Sequence, residues 1–532
     1  MMKIALVCIE DGLTSCGFRK MAAYVEQHEQ AVRVYYMVTD QFRSLSSYFR
    51  GKGRNTGTLD EPTIRQVSQS LLEFDVVGFS SMTGYADPTK GIIREIVKHK
   101  ERPYLIWGGI HPIIHPEDAI QSGVDAICTG EGEFAFQEFL ENFKTGREFT
   151  KTTNFWFKVG ETIVRNPFRP LMTPQEMEGL PFPKFGGEEW IYEPSQGFRR
   201  ITVKDYVDVQ GLGYSTIWSL GCPFHCTFCG NTKFIENDSK YKKIRHPSPR
   251  YIIEEVKSVK RTFPHISTIC FHDDSFMAIP FPMLEQFARL WRAEVQIPFA
   301  VYGVIPNYVQ QDKMEILTWA GMNRVRMGIQ SGSQRILDFY KRPTPIEKIE
   351  AAAKVNASFS PRYHIPPAYD IICDNPVETR QDVIHTLELL YRLKRPFTIN
   401  LYSLRVIPNT TLERDMKNAG VNLDEISAGY HVIPPRWANL LIYLLAIWTP
   451  PRWLFDRLLI PVQSSATPQK MYPVLGCVMR TLYFCKRGWD HLRFMDFTTI
   501  PGFVGFFFWR TGIITFWQKH WKVRPSVLSF SK

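Results

Sequence analysis

The sequence lacks the patterns that mark secreted and membrane-spanning chains. Its ten cysteines among 532 residues are mostly isolated, so they do not resemble the dense framework of a disulfide-stabilised secreted protein. The first residues have no basic stretch followed by a long apolar core, and no signal peptide is predicted. No run of about 20 uncharged apolar residues occurs before residue 430. These absences predict a cytoplasmic chain with reduced thiols.

A concentrated block of positive charge is also missing. The net charge is +11, but no stripe of lysine and arginine with interleaved aromatic residues is present, so nucleic acid is not an expected partner. The surplus favours general attraction to anionic partners or to an anionic membrane surface.

Apolar segments of strand length alternate with amphipathic segments of helix length in two parts of the chain. This alternation predicts an α/β protein. Residues 1–150 are expected to form a doubly wound parallel sheet. Residues 151–200 are rich in proline without a sustained period and are interpreted as a linker with short ordered pieces. Residues 201–420 are predicted to form a full or partial (β/α) barrel with its reactive residues at the carboxyl ends of the strands. Residues 421–532 are expected to be mainly helical and are rich in aromatic side chains.

The most informative segment is GCPFHCTFCGN, residues 221–231. Its Cys-x3-Cys-x2-Cys spacing places the thiols of Cys222, Cys226 and Cys229 on one short loop. Three soft ligands suit an iron–sulfur cluster, and a four-iron cluster on three cysteines leaves one iron open to a small chelating ligand. Structural zinc usually takes four ligands in two pairs, and His225 could supply the fourth only by distorting the loop. The spacing therefore favours the cluster.

With Phe228 before the third cysteine, this loop resembles the radical S-adenosylmethionine (SAM) superfamily. The resemblance implies that a [4Fe-4S] cluster binds SAM through its open iron and cleaves it reductively to a deoxyadenosyl radical. It also implies that Phe228 lies near the adenine, although plain core packing is an alternative for an aromatic residue.

Other barrel segments resemble the same superfamily. Asp273 and Asp274 end a strand where the family holds the SAM ammonium group, and a carboxylate suits a cation; a solvated strand end is the alternative. In MGIQSGS, residues 327–333, Gln330 replaces the usual glutamate, and Gln330 and Ser331 correspond to the contact with the SAM ribose. Asp374 and Asn409 stand where the family has glycine in two later turns.

The first 150 residues resemble the cobalamin-binding domain that precedes many radical SAM barrels. The resemblance rests on GFSSMTGY (78–85) and on WGGIHPIIHPEDAIQSGVDAICTGEGE (107–133). Small residues at the ends of parallel strands let a large planar cofactor approach the backbone. The residues that this resemblance assigns to cobalamin are Ser80, Ser81, Thr83, Gly108, Gly109, His111, Gly130, Glu131, Gly132 and Glu133.

One feature departs from the cobalamin pattern. Many such domains carry a cobalt-ligating histidine in Asp-x-His-x-x-Gly after the first strand, whereas Leu13 occupies that place here. We therefore expect cobalamin to bind with no histidine below the cobalt. His111 and His115 could substitute, but a loop histidine is more often a surface or helix-entry residue.

These resemblances, which cover residues 1–420, predict a cobalamin-dependent radical SAM enzyme that modifies an unactivated carbon by C-methylation. A ring-forming oxidative cyclase like the anaerobic magnesium-protoporphyrin monomethyl ester cyclase is the alternative within the same architecture. A sensor that binds both cofactors without turnover is a third hypothesis, which the two aspartates and the open iron site disfavour. The general acid and base remain unassigned.

The C-terminal region allows three interpretations. Residues 503–521, FVGFFFWRTGIITFWQKHW, approach the length of a spanning helix but contain Arg510 near the centre. The region 431–532 is expected to be a peripheral membrane contact, a helical lid whose aromatic side chains fill the barrel mouth and grip an apolar substrate, or a membrane span. Membrane contact would favour a lipid-like or apolar small-molecule substrate. The family resemblance also implies an electron donor such as flavodoxin or ferredoxin.

Overall fold

The computed structural model describes residues 1–38, 59–363, 365–423, 433–464, 470–498 and 502–520. These residues form two β-sheets with helices packed against them, and the predicted α/β class is confirmed. The strands of the first sheet are β1 (Ile4–Glu10), β2 (Val32–Val38), β3 (Val76–Ser81), β4 (Tyr104–Gly108), β5 (Ala126–Cys128), β6 (Phe155–Val159), β7 (Thr162–Arg165), β8 (Glu189–Glu193) and β9 (Gly197–Arg200). The strands of the second sheet are β10 (Gly213–Thr216), β11 (Thr268–Phe271), β12 (Phe299–Val304), β13 (Met322–Gln330), β14 (Ala368–Cys373) and β15 (Thr398–Ser403).

The first sheet has the order β7-β6-β5-β4-β3-β1-β2-β8-β9, and β1 to β5 are parallel. The chain leaves β1 for β2 on one side and returns to β3 on the other, so the strand order reverses between β1 and β3. Ligands of doubly wound sheets bind at the carboxyl ends of the strands beside such a reversal. The helices of this part are Cys16–His28, Glu61–Leu71, Ala86–Val97, Ile110–Ile114, Pro116–Ile120 and Glu133–Thr145.

Residues 151–200 differ from the predicted linker, because four strands of the first sheet lie within them. Strands β6 and β7 extend the sheet beyond β5, and β8 and β9 extend it beyond β2. The strands are short, and the connections after β7 and after β8 contain proline, which conceals the alternation of the segment. Phe155 and Phe157 are nonetheless fully buried against Phe139, and this burial attaches the segment to the core.

The second sheet is parallel throughout and its strands are adjacent in chain order, β10 to β15. Among the described strands β10 and β15 do not pair, so the sheet is open, as in a partial barrel. The α-helices that precede, connect or follow these strands are Pro174–Glu178, Val203–Gln210, Asn231–Asn237, Pro249–Thr262, Phe281–Leu290, Gln311–Ala320, Gln334–Phe339, Ile346–Tyr363, Arg380–Arg392 and Thr411–Asn418.

The first strand of the second sheet ends before the cysteine loop begins. Strand β10 ends at Thr216, and Trp218 and Ser219 leave the sheet. Their amides donate to the carboxyl group of Asp273 at 3.2 and 2.6 Å. This side chain draws the chain away from the neighbouring strand before the cysteine loop begins.

Helices follow the barrel, at Trp437–Ile447, Arg452–Ser464, Pro473–Arg493, Gly502–Arg510 and Ile513–His520. The Tyr483 hydroxyl of the third helix bonds to the backbone of Ile399, so this helix lies along the open edge of β15. The last two helices pack near the amino ends of β10 and β11, where Gln518 donates to the Ser267 carbonyl at 2.9 Å. They therefore lie at the opposite end of the barrel from the cysteine loop, not over its mouth.

The structure also bears on the membrane-span interpretation. The apolar C-terminal segment is divided into two helices at Gly512, whose φ of 76° is left-handed. Across the described ranges, every helix is too short or too polar to cross a bilayer.

A buried ion pair fastens the first helix to the edge of the first sheet. Arg19 and Glu189 have fully buried side chains and lie 2.7 Å apart. Glu189 also accepts from the Tyr36 hydroxyl at 2.9 Å and from the Gly186 amide at 2.6 Å. Burying two charges is costly, and only such a complete set of partners offsets the cost.

Removal of this carboxylate should destabilise the fold. We expect Glu189→Gln to lower the free energy of unfolding by about 3 kcal/mol, because Arg19 is left buried without its counter-ion. The midpoint of urea unfolding measures the effect. Glu188→Gln is the control, since the neighbouring Glu188–Arg200 pair is largely exposed and should leave the midpoint unchanged. Equal midpoints for both variants would contradict this account.

Candidate functional site

The cysteine loop is fixed at both ends by backbone contacts. Leu220 and Arg245 exchange two backbone hydrogen bonds of 2.9 Å, and the Cys222 amide donates to the Tyr241 carbonyl at 3.1 Å. Gly221 has a φ of 110°, and a side chain there would lie 2.5 Å from the Lys243 carbonyl oxygen. Glycine is therefore required immediately before the first cysteine.

The three thiols lie in a buried environment that favours their neutral form. Burial raises the pKa of Cys222 and of Cys229 to about 12, and it raises the pKa of Cys226 as well. The Arg342 guanidinium donates to the Cys226 sulfur at 3.7 Å and partly offsets this effect. Thiolate ligands here need a positively charged partner, which iron supplies.

A set of metal-ligating side chains other than the cysteines follows β4. Among the described residues, the one group whose metal-ligating atoms all lie within 4.8 Å of each other is His111, His115 and Asp118.

The aspartates after β11 have different environments. Asp273 accepts from the Trp218 and Ser219 amides and from the Ser219 hydroxyl, and burial raises its pKa to about 7. Asp274 accepts from the Tyr241 hydroxyl at 3.1 Å, and burial raises its pKa too. Asp273 thus holds the loop, whereas Asp274 lies among the cluster cysteines, whose pKa values its charge raises.

The remaining predicted SAM residues are divided between the site and the supporting structure. Gln330 ends β13 with a left-handed φ of 74°, and its amide lies over Gly328. The Ser331 hydroxyl lies 3.4 Å from that of Thr386 and accepts from the Ser333 amide, so it faces a helix. Phe228 contacts the Tyr340 ring edge-on at a centroid distance of 5.0 Å.

The residues predicted for cobalamin lie at the carboxyl ends of β3, β4 and β5. Gly109 has a φ of 85°, and a side chain there would meet the Ser80 hydroxyl at 2.8 Å. The Thr83 hydroxyl is buried without a hydrogen-bond partner among the described residues. A backbone cradle that only glycine permits and an unpaired buried hydroxyl fit the approach of a large polar ligand.

Several of the predicted cobalamin residues have structural partners instead. Ser81 accepts from the Trp107 indole at 3.0 Å and from Thr89. His111 bonds to Asp118 at 2.9 Å, and Lys90 binds the same carboxylate at 2.6 Å. The Lys90 ammonium is therefore already the cation bound to the group formed by His111, His115 and Asp118.

The segment after β5 is tied to the barrel. Glu131 accepts from Arg245 and from the Met172 amide, both at 2.7 Å. A side chain at Gly130 would meet Asn154 at 2.6 Å. Gly132 precedes the helix that begins at Glu133, and burial raises the pKa of that glutamate.

The two predicted cofactor sites adjoin. Ile114, the last residue of the helix Ile110–Ile114 that follows β4, lies against Gly230, the residue after Cys229. A side chain at Gly230 would come within 3.2 Å of the terminal methyl of Ile114. Asn409, which follows β15, donates to the Ile114 carbonyl at 3.0 Å. The carboxyl ends of both parallel sheets therefore face one shared region.

Sequence reasoning did not identify Arg342, Tyr241 or Ile114 as site residues. Arg342 reaches the cysteine loop from a distant part of the chain and has no motif of its own. Tyr241 follows Cys229 by 12 residues, and Ile114 lies within the predicted cobalamin segment 107–133, but the family pattern assigns neither of them a role. Asp374 and Asn409 do adopt the left-handed φ values, 57° and 60°, that the glycines of the family pattern suggested.

Comparison with known proteins agrees with this geometry. Residues 216–390 match the model of the radical SAM superfamily, and residues 3–140 match that of the B12 binding domain. The fold and the site thus define a radical SAM enzyme. More specifically, the chain belongs to the cobalamin-binding radical SAM family.

The curated relatives include methyltransferases and a cyclase. An uncharacterized methyltransferase, PH0819, of Pyrococcus horikoshii is 23% identical over 63% of this chain and 69% of its own length. The cytidylyl-2-hydroxyethylphosphonate methyltransferase of Streptomyces wedmorensis is 23% identical over 58% of this chain and 60% of its own. The anaerobic magnesium-protoporphyrin IX monomethyl ester cyclase of Rubrivivax gelatinosus is 22% identical over 56% and 51%.

Solved structures share the fold. The radical SAM methyltransferase TsrM of Kitasatospora setae superposes with a TM-score of 0.59 at 16% identity, over 78% of this chain and 76% of that one. The cobalamin-dependent radical SAM enzyme OxsB gives a TM-score of 0.62 at 14% identity, over 98% and 79%.

We predict that the cluster depends on Cys222, Cys226 and Cys229 and on no other cysteine. Cys226→Ala should abolish the brown absorption of anaerobically reconstituted protein and lower its bound iron and sulfide severalfold, because two thiolates cannot hold the cluster. Iron and sulfide analysis measures this. Cys477→Ala, at an exposed cysteine, should leave both contents unchanged. A full complement of iron in the Cys226 variant would refute the assignment.

Proposed function

We propose that this enzyme methylates an unactivated carbon of a small molecule. The observation that carries the proposal is the contact between Ile114 and Gly230. It brings the segment after β4, which holds residues predicted for cobalamin, against the cysteine loop. In such a reaction the cluster would supply the electron that cleaves SAM, and cobalamin would carry the methyl group. The names of two curated relatives, both methyltransferases, support the same reaction class.

The chain's own residues would position SAM. We assign Asp274 to the SAM ammonium group, because a cation would relieve the cost of burying this carboxylate. Gln330 can bond to the ribose hydroxyls, and Phe228 can border the adenine. Asp273 holds the loop, and Arg342 partly neutralises the thiolate of Cys226.

A one-electron carrier must reduce the cluster, and we propose an acidic protein such as flavodoxin or ferredoxin. The net charge of +11 supports an acidic partner, since charge complementarity accelerates encounter.

Isotope transfer tests methylation. With SAM labelled in its methyl group, reductant and a cell extract, we expect 5′-deoxyadenosine and a product that carries the label and is one CH2 unit heavier than its precursor. Mass spectrometry of small molecules measures both. The Cys226→Ala variant should form neither.

Two outcomes would contradict methylation. An unlabelled product that has lost hydrogen would indicate a cyclase like the relative from Rubrivivax gelatinosus. No deoxyadenosine formation under any condition would indicate a sensor.

We further propose that the C-terminal helices rest on the cytoplasmic face of an anionic membrane. Val474, Val478, Leu482 and Trp489 are exposed along one face of the helix Pro473–Arg493, and Phe503, Phe507 and Phe516 are exposed on the two helices that follow it. Residues 433–520 contain ten lysines and arginines and only three acidic residues. Apolar rings beside cations suit the headgroup boundary of a bilayer.

Vesicle flotation tests the membrane contact. The full chain should float with vesicles rich in phosphatidylglycerol and much less with phosphatidylcholine alone, because the region is cationic. Replacing Trp489 and Phe507 by serine should lower the floated fraction severalfold. Serine at Val159 and Phe168, which are exposed in the N-terminal half, should leave it unchanged. Equal flotation of both variants, or none of the parent chain, would refute the contact.

A further inference from the structure

The two faces of the second sheet differ in character. The face against the helices is apolar and buried, as in Phe271, Met327 and Ile371. The strand register places a polar set on the opposite, concave face. It comprises Ser215, His272, Tyr302, Arg326, Asp370, Asn400 and Tyr402, each of which retains solvent exposure. The interior of a closed β/α barrel is normally filled with branched apolar side chains, so this open polar face is suited to a ligand.

Four of the polar side chains near this face form one continuous line. The Nε of Arg326 donates to both oxygens of Asp370 at 2.8 and 2.9 Å. Asn400 donates to Asp370 at 2.8 Å and accepts from the Arg487 guanidinium at 2.8 Å. Arg487 belongs to the helix Pro473–Arg493, so the line reaches from β13 across β14 and β15 to the C-terminal region.

This line carries more positive than negative charge. Asp370 is its one carboxylate, and it pairs with Arg326. None of the described carboxylates forms an ion pair with Arg487. The nearby Arg324 is already paired with buried Asp496 at 3.1 Å. A half-buried guanidinium without a counter-ion is an apt receptor for a carboxylate or a phosphate.

The line also lies close to the cluster loop. Asp370 is the register partner of Gly328, and the Gly328 carbonyl accepts from Arg342 at 2.6 Å, the residue that contacts the Cys226 sulfur. Arg326 precedes Gly328 by two residues, a distance of about 7 Å along a strand. A small molecule anchored on the line would therefore extend toward the cysteine loop.

We propose that the concave face binds a substrate bearing an oxyanion, a carboxylate or a phosphate, through the guanidinium groups of Arg487 and Arg326. The proposal rests on the proposed function for the reaction and adds the chemical class of the substrate. Binding of the oxyanion fixes which carbon is presented to the cofactors.

Equilibrium binding tests the subsite without turnover. The cofactor-loaded full-length protein is titrated calorimetrically with benzoate, phenyl phosphate and benzylammonium, with no SAM or reductant present. We expect benzoate, phenyl phosphate or both to bind, and benzylammonium not to bind. The anion that binds more tightly identifies the oxyanion of the substrate. Arg487→Gln should weaken anion binding at least tenfold. Arg480→Gln is the matched control, because Arg480 lies on the same helix but donates to that helix's own Gly476 carbonyl. The affinity of the Arg480→Gln variant for the anions should equal that of the parent protein.

A second variant covers a folding defect in the first. Asn400→Asp places a carboxylate beside Arg487 and should weaken anion binding to a similar extent while the cluster absorption is retained. Unchanged anion affinity in either folded variant, or preference for benzylammonium, would overturn the proposal. Because no step of the titration involves methyl transfer, failure of the proposed reaction would leave this result intact.

Discussion

The cysteine loop depends on one buried carboxyl group. Asp273 accepts the amides of Trp218 and Ser219 together with the Ser219 hydroxyl, and its burial would be costly without these donors. The bonds end β10 at Thr216 and direct the chain out of the sheet. The three cysteines that follow are thereby held above the carboxyl ends of the strands, where the other site residues of a parallel sheet also lie.

The same geometry explains how two sheets serve one site. Each is parallel in its centre, so the loops at the carboxyl ends carry the polar residues, and the two sets of ends face each other. Arg245 joins them, because it pairs with the backbone of Leu220 beside the cysteine loop and with the Glu131 carboxylate after β5. Glu131, which the family resemblance assigns to cobalamin, accepts from Arg245 and so links the two parts.

Local pattern was enough to predict many of the elements that position the site. The apolar segments before Ser80, Gly108, Asp273 and Gln330 predicted strands whose carboxyl ends lie where the candidate residues lie. The residue types at Gly109, Asp374 and Asn409 could also be understood from the sequence. The backbone is left-handed at these positions, and glycine, aspartate and asparagine tolerate that conformation. Long-range partners could not be predicted in this way, since Arg342 and Arg487 reach the site from helices or loops with no motif of their own. Strands β6 to β9 were also missed, because each is short and the two pairs join the sheet through β5 and β2, which precede them in the chain.

The central claim is that the residues predicted for cobalamin, after β3, β4 and β5, border the same region as the cysteine loop. Magnetic interaction between the two cofactors measures this most directly. In protein loaded with both, the electron spin relaxation of cob(II)alamin is recorded with the cluster oxidised and then reduced. We predict a marked acceleration on reduction, because a paramagnetic cluster close to the cobalt would enhance its relaxation. Identical relaxation in the two states would place the cofactors far apart and contradict the account.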